Sequence, residues 1–361
     1  MMIKSSLDFD KLILDLTSKC NLGCQICYSN GNTLEDLPFS TLLDLSKKLK
    51  NKIVSLCGGE PTLREDLADI IRIFNKNNTV FLITNGLRLE DYNYVKKLKQ
   101  SGLKYISLSF NGFTDDVYRE INGVPLLDRK LNALKNIKQA KINTILSVLI
   151  ARGINENQIK DIFNYCLGNT DFIKELRIRA MVKVGKFLPT EKYTILQLLD
   201  LFCKSTNIDK KDVYQEFKMK ELINASKKNT FVFSNCSLNF HLKKCRGSFI
   251  PMGRIYDLEN IRNSFFKKIL SPFTLVKAYG LKMVLSASAK IILRQRKPWF
   301  HDSNILKIGL RSWPDLINAP ELTTCRTGYY YNNSIIPFCY ANILKRKQQN
   351  QNCNLNDENL D

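Results

Sequence analysis

From residue 11 to about 205 the chain alternates short runs of aliphatic and β-branched residues with longer stretches in which apolar positions return every three or four residues. The short runs fit strands and the three-and-four spacing fits one buried face of a helix. Strands are predicted near 11–17 (KLILDLT), 53–57 (IVSLC), 79–84 (TVFLIT), 104–110 (KYISLSF), 144–150 (TILSVLI) and 174–180 (KELRIRA). Helices are predicted over Leu42–Lys50, Arg64–Asn75, Asp91–Gln100, Lys130–Ala140 and Gln158–Leu167. Strand and helix in strict alternation is the rhythm of a parallel sheet, so the fold class is α/β, and six such units predict a partial (βα)6 barrel. Folds of this kind bind ligands at the carboxyl ends of their strands, which directs attention to the loop after each one.

Beyond this region, at 9–205, the pattern changes. A charged helical stretch within 206–230 reads as a connector. Residues 231–345 hold shorter aromatic and β-branched runs among Cys236, Cys245, Cys325 and Cys339, which suggests a small cysteine-containing α+β domain. The polar, Gln- and Asn-rich residues 346–361 read as a disordered tail. No solenoid repeat is visible.

A chain of 361 residues is long enough for a large domain and a smaller companion. Composition changes this picture in two ways. The net charge is +21, and residues 201–361 carry 26 basic against 12 acidic side chains. Such an excess favours anionic partners: an acidic electron-donor protein, an anionic membrane surface or a nucleic acid. Biased coding toward Lys, Asn and Ile explains it equally well. The 11 cysteines come without an apolar leader in residues 1–10, so the expectation is a cytoplasmic protein with reduced thiols, and clustered thiols then suggest metal binding rather than cross-links. No run of 18 uncharged apolar residues predicts a membrane span. Phe265–Trp299 mixes large apolar residues with Lys and Arg, a composition suited to peripheral contact with a membrane or to an ordinary packed helix.

The first strand leads directly into Cys20-Asn-Leu-Gly-Cys24-Gln-Ile-Cys27-Tyr28. Three thiolates on one short loop would leave one iron of a [4Fe-4S] cube open to an outside ligand, the condition for catalysis; a zinc ion with a fourth ligand from elsewhere is the alternative. This CxxxCxxC-aromatic loop resembles that of the radical S-adenosylmethionine superfamily, and the strand ends extend the resemblance over about residues 9–200. Cys57-Gly58-Gly59-Glu60-Pro61 resembles the GGEP motif, Thr84-Asn85-Gly86 the TNG turn, and Ser109-Phe110-Asn111-Gly112 a Ser-x-Asp-Gly sequence in which Asn111 replaces the acid.

The resemblance implies a [4Fe-4S] cluster on Cys20, Cys24 and Cys27. It implies S-adenosylmethionine contacts from Tyr28, Gly58, Gly59, Glu60 and Asn85, ribose contacts from Ser109 and Asn111, an adenine-side loop containing Asn155, and Arg179, with Arg177 as the alternative, on the methionine carboxylate. The reaction implied is reductive cleavage of S-adenosylmethionine to a 5′-deoxyadenosyl radical, with electrons from a flavodoxin- or ferredoxin-like donor. No acid–base triad is implied, and His241 and His301 read as packing or surface residues.

Cys236, Cys245, Cys325 and Cys339 make a candidate four-thiolate set for an auxiliary Fe-S cluster, a single iron or zinc, with ordinary core thiols as the competing reading. Residues 325–339, ending Ile335-Ile336-Pro337-Phe338-Cys339, resemble the tetraether lipid synthase-like branch, which implies a lipid or other hydrophobic substrate. Two further readings stand beside it. One is a peptide- or protein-modifying maturase. The other, from a different class, is a zinc-containing basic nucleic-acid module, which leaves the ordered strand-end motifs unexplained.

Overall fold

The computed structural model describes residues 9–27, 36–181, 193–225, 236–255, 302–312, 325–331, 333–338 and 340–341. Six strands, β1 (Lys11–Asp15), β2 (Ile53–Cys57), β3 (Thr79–Thr84), β4 (Tyr105–Ser109), β5 (Asn143–Ile150) and β6 (Ile173–Ala180), pair in parallel and in sequence order. The helices between them are α1 (Phe39–Lys48), α2 (Leu67–Asn75), α3 (Tyr92–Gln100), α4 (Asp115–Asn122), α5 (Leu127–Gln139) and α6 (Ile159–Gly168). The α/β fold read from the periodicity is therefore present. Helix α2 begins three residues later than the pattern predicts. Pro61–Leu63 forms a separate 3-10 turn, and Arg64 turns inward to donate to the carbonyls of Leu16 and Leu37.

Later residues extend this sheet instead of building another. Helices α7 (Ile195–Thr206) and α8 (Lys210–Ala225) lead to β7 (Ser237–Cys245), β8 (Ser248–Pro251), a short helix α9 (Met252–Ile255), β9 (Ile305–Arg311), β10 (Thr327–Tyr331) and β11 (Ser334–Pro337). The order is β11-β10-β1-β2-β3-β4-β5-β6-β9-β7-β8 in one 11-stranded sheet. Strand β9 lies parallel to β6, and β10 lies parallel to β1. The expectation of a separate small domain over 231–345 is thus corrected for the described residues. Both open edges of the six-stranded unit have unpaired backbone groups, and the late strands satisfy them.

Period-two alternation sorts the side chains. Leu12, Leu14, Val54, Leu56, Leu176, Ile178, Leu306 and Ile308 belong to the main core together with Leu42, Phe74, Leu134, Phe163 and Phe202 of the helices. The other face of each strand, carrying Lys11, Ile13, Asp15, Ser55, Cys57, Glu175, Arg177, Lys307 and Arg311, points away from that layer. Lys11 on β1 is close enough to Glu175 and Arg177 on β6 for both to shift its titration. A flat sheet would hold β1 and β6 about 24 Å apart at ~4.8 Å per strand, so the sheet curls and these faces look into a shared lumen. Ile53, Phe81, Tyr105 and Ile145 cluster on the same inner face, with the Phe81 and Tyr105 rings stacked at 4.7 Å.

Candidate functional site

The cysteine loop leaves the carboxyl end of β1 and is fastened at its base. Thr17 Oγ1 donates to Asp36 (2.6 Å), Lys19 N–H donates to Thr17 Oγ1, and Lys19 pairs with Asp36 at 3.3 Å. Gly58 and Gly59, immediately after β2, hold the loop from the other side. Gly59 N–H donates to Thr17 O and Glu60 N–H to Lys19 O, both at 2.8 Å. A Cβ on Gly58 would lie 2.3 Å from Thr17 O, and one on Gly59 would lie 2.3 Å from Lys19 O. Gly58 also sits at φ +129°, a conformation closed to other residues. The two glycines are required because two backbones touch there.

Cys20 is exposed, while Cys24 and Cys27 are half-buried. Burial pushes the thiols of Cys20 and Cys24 up, and for Cys24 the Asn122 amide, whose Nδ2 donates to Sγ at 3.1 Å, acts in the opposite sense. A cube offers a separate iron to each thiolate, and three thiols spaced along one loop fit that donor set. The glycine-tight contact beneath the loop is the cradle such a group needs.

The structure brings most of the expected binding residues to the same rim, and gives several of them different duties. Glu60 is fully buried. Its Oε1 accepts from Thr62 N, Thr62 Oγ1 and Thr84 Oγ1, and its Oε2 accepts from Asn85 N at 2.7 Å. The Glu60 carboxylate thus joins the ends of β2 and β3, and backbone groups of the motif are left to face a ligand. Asn85 reaches over to Asn21 of the cysteine loop at 2.8 Å. Asn155 is also fully buried; both its amide hydrogens go to the carbonyls of Asn111 and Leu149, and its Oδ1 accepts from Ala151 N. Its side chain shapes the loop after β5.

Asn111 is 3% exposed; its Oδ1 accepts from Leu149 N and its Nδ2 donates to Asn122 Oδ1, so it too is engaged within the chain. Ser109 ends β4 with its side chain on the inner face, and Arg179 lies on the inner face of β6 in register with Leu149 and Arg311. Tyr28 lies outside the described residues.

Two side chains at this rim were not singled out from the sequence. Lys130 of α5 is 1% exposed and donates to the carbonyls of Asn85 and Ser109, the turns that end β3 and β4. Burial lowers it to about 8, against the raising influence of Glu60 and Cys24. Asn122 of α4 bridges Cys24 and Asn111. Each has a visible signal: Lys130 precedes Ala133, Leu134 and Ile137 on the buried stripe, and Asn122 follows Tyr118 by one helical turn.

The four-thiolate set does not assemble. Cys236 and Cys245 stand at opposite ends of β7, about 30 Å apart at ~3.3 Å per residue, too far for one site. Cys325 lies before β10, on the other side of β1, and Cys339 lies outside the described residues. Cys166 and Cys203 are buried core thiols. Cys57 instead donates to Asp15 at 3.0 Å on the inner face, where the Tyr329 hydroxyl donates to the same carboxylate. His241 lies in the middle of β7, paired with Lys307 of β9, with Nδ1 2.7 Å from Glu216. Residues 265–299, His301 and Cys353 lie outside the described residues. No helix among the described residues is long and apolar enough to cross a membrane.

Residues 14–166 match the radical SAM superfamily. The chain is similar to the 7,8-dihydro-6-hydroxymethylpterin dimethyltransferase of Methanocaldococcus jannaschii, 27% identical over 281 residues, covering 71% of this chain and 56% of that protein. It is also similar to GTP 3′,8-cyclase of Clostridium perfringens, 27% identical over 203 residues and covering 53% of this chain and 62% of that one. It spans less than two thirds of either relative. Among solved structures, SuiB of Streptococcus suis bound to precursor peptide SuiA aligns over 60% of this chain and 47% of its own, at 18% identity and a TM-score of 0.47.

Proposed function

We propose that this chain, which carries a radical S-adenosylmethionine domain over residues 14–166, is an enzyme that binds a [4Fe-4S] cluster through Cys20, Cys24 and Cys27 and cleaves S-adenosylmethionine at the mouth of the barrel. When bound, these groups would supply a 5′-deoxyadenosyl radical able to take a hydrogen atom from an organic substrate, which we place in the lumen. The observation that carries the reading is the docking of the three-thiol loop on Gly58 and Gly59. The loop thereby lies beside the ends of β2 and β3.

The chain's own part is binding, orientation and exclusion of water. Backbone groups at Gly58 and Gly59 are proposed to receive the methionine ammonium, and Arg179 its carboxylate. Ser109 and the loops ordered by Asn111 and Asn155 are proposed to frame the nucleoside. Lys130 fixes the two turns between them from behind, and Asn122 donates to Cys24, which favours its thiolate.

The names of the relatives concern pterin and GTP. The lipid reading rests on the resemblance of residues 325–339 and on 265–299, and the latter stretch is outside the described residues. We therefore carry it as one arm of the test. An acidic flavodoxin- or ferredoxin-like donor suits the net charge of +21; donor docking should weaken steeply as salt is raised from 50 to 300 mM.

The test is 5′-deoxyadenosine formation by anaerobically reconstituted protein with reductant and S-adenosylmethionine, with and without polar lipid extract. Cys24→Ala is the control. Product from the wild type alone supports the reading, and its stimulation by lipid supports a hydrophobic substrate. Equal inactivity of wild type and control, with zinc in place of iron, overturns it.

A further inference from the structure

The inner face of the barrel holds a charge imbalance that the chemistry at its mouth does not use. Glu175, at the middle of the lumen wall, is fully buried. Arg177 Nε is 2.8 Å from its carboxylate, Lys307 Nζ 3.0 Å and Arg311 Nη2 3.8 Å. Lys11 faces them from β1 and interacts with Glu175, Arg177 and Arg311. Among the described residues, four cations thus crowd around one carboxylate.

Their exposure shows where the excess points. The side chains of Arg177, Lys307 and Arg311 are 18%, 26% and 24% exposed, while the opposite face of the same strands, Leu176, Ile178, Ile308 and Leu310, is sealed in the core. The exposed fraction belongs to the inner face. Ser55, also on that face, is 1% exposed, and its Oγ has no hydrogen-bond partner. Arg311 spends part of its donor set on the carbonyls of Leu238 and Leu310 and on Asn239 Oδ1, but these neutral acceptors leave the net positive charge of the group in place, and that charge and the buried, unpartnered Ser55 hydroxyl both suit a further anionic acceptor.

We propose that the lumen binds an anionic group of the substrate, a phosphate or a carboxylate, through Lys11, Arg177, Lys307 and Arg311, with Ser55 as a neutral donor. This deepens the reading above and rests on it, since the substrate is taken to lie below the cluster loop. Arg177 and Lys307 hold Glu175 with part of their donor sets, and a guanidinium has five N–H groups to distribute. Burial and the neighbouring guanidinium groups push Lys11 down to about 7, a strain that an anion between them relieves. Lys11, Arg177, Lys307 and Arg311 all lie outside residues 14–166, so the anion set is supplied by the parts of the chain beyond the matched domain. Arg179, one step nearer the mouth, remains with S-adenosylmethionine.

The experiment is calorimetric titration of the reconstituted full chain, with S-adenosylmethionine present and reductant omitted, using inorganic pyrophosphate in one arm and succinate in the other. Lys11→Met, which keeps the shape and removes the charge, is expected to weaken binding about ten-fold or more. If that variant fails to fold, Glu175→Gln decides: removing the competing carboxylate frees the cations and is expected to tighten binding about ten-fold. Lys47→Gln, on the outer surface of α1, is the control and leaves the affinity unchanged. Binding in either arm with the expected shift supports the proposal and tells phosphate from carboxylate. Absence of binding in both arms, or an affinity that the deciding variant does not move, overturns it. In that case 5′-deoxyadenosine formation still reports separately on the radical reading.

Discussion

Gly59 carries more of this site than its size suggests, because Lys19 O and Ser18 O lie 2.3 and 2.6 Å from where a Cβ would be. Gly59→Ala must push the cysteine loop off its support. The expected outcome is a loss of at least half the bound iron after reconstitution, read by iron-to-protein ratio, with a folded barrel by circular dichroism. Lys11 gives a second prediction at this scale. Its folded value is near 7 against 10.5 in the unfolded chain, so between those values the unfolded state binds more protons and stability rises with pH. Lys11→Met should raise Tm at pH 7, with the gain shrinking toward pH 10. The glycine pair was legible as a motif. Lys11 was not, since a lysine opening a strand reads as a solvent-facing end until β6 and β9 are seen opposite it.

Turns at the strand ends are ordered by buried polar side chains. Asn155 makes three hydrogen bonds that close the loop after β5 and tie it to Asn111. Asn155→Ala leaves those backbone groups unsatisfied in the interior, and the expected loss is about 2–4 kcal/mol of unfolding free energy by denaturant titration. S-adenosylmethionine affinity should fall with it, because the loop frames the nucleoside. The six core strands were readable to within a residue or two, because each is a β-rich apolar run between helical repeats. Strands β9 and β10 were not. Their placement depends on pairing partners roughly 130 and 316 residues away in sequence, as in Lys307–Glu175 and Arg326–Asp10, and no local pattern encodes such distance.

For the molecule as a whole, the late strands turn an open six-stranded unit into one sheet whose β1 and β6 edges are both covered. Leu306, Ile308 and Leu310 enter the main core, and Lys307 and Arg311 neutralise Glu175. A fragment ending at residue 230 would lose all of these and expose two strand edges. It is expected to elute as aggregate in size-exclusion chromatography, whereas a separate C-terminal domain would leave it monomeric. What the sequence determined by itself is local and periodic: the βα rhythm, the three-thiol loop and the turn motifs after each strand, all of which depend on neighbours within a few residues. Tertiary structure decided that Glu60 and Asn155 turn inward, that Cys236 and Cys245 lie apart, and that Lys11, Arg177, Lys307 and Arg311 meet in one lumen. These are outcomes of strand curvature and long-range register, which bring distant segments together according to the packing of the whole sheet.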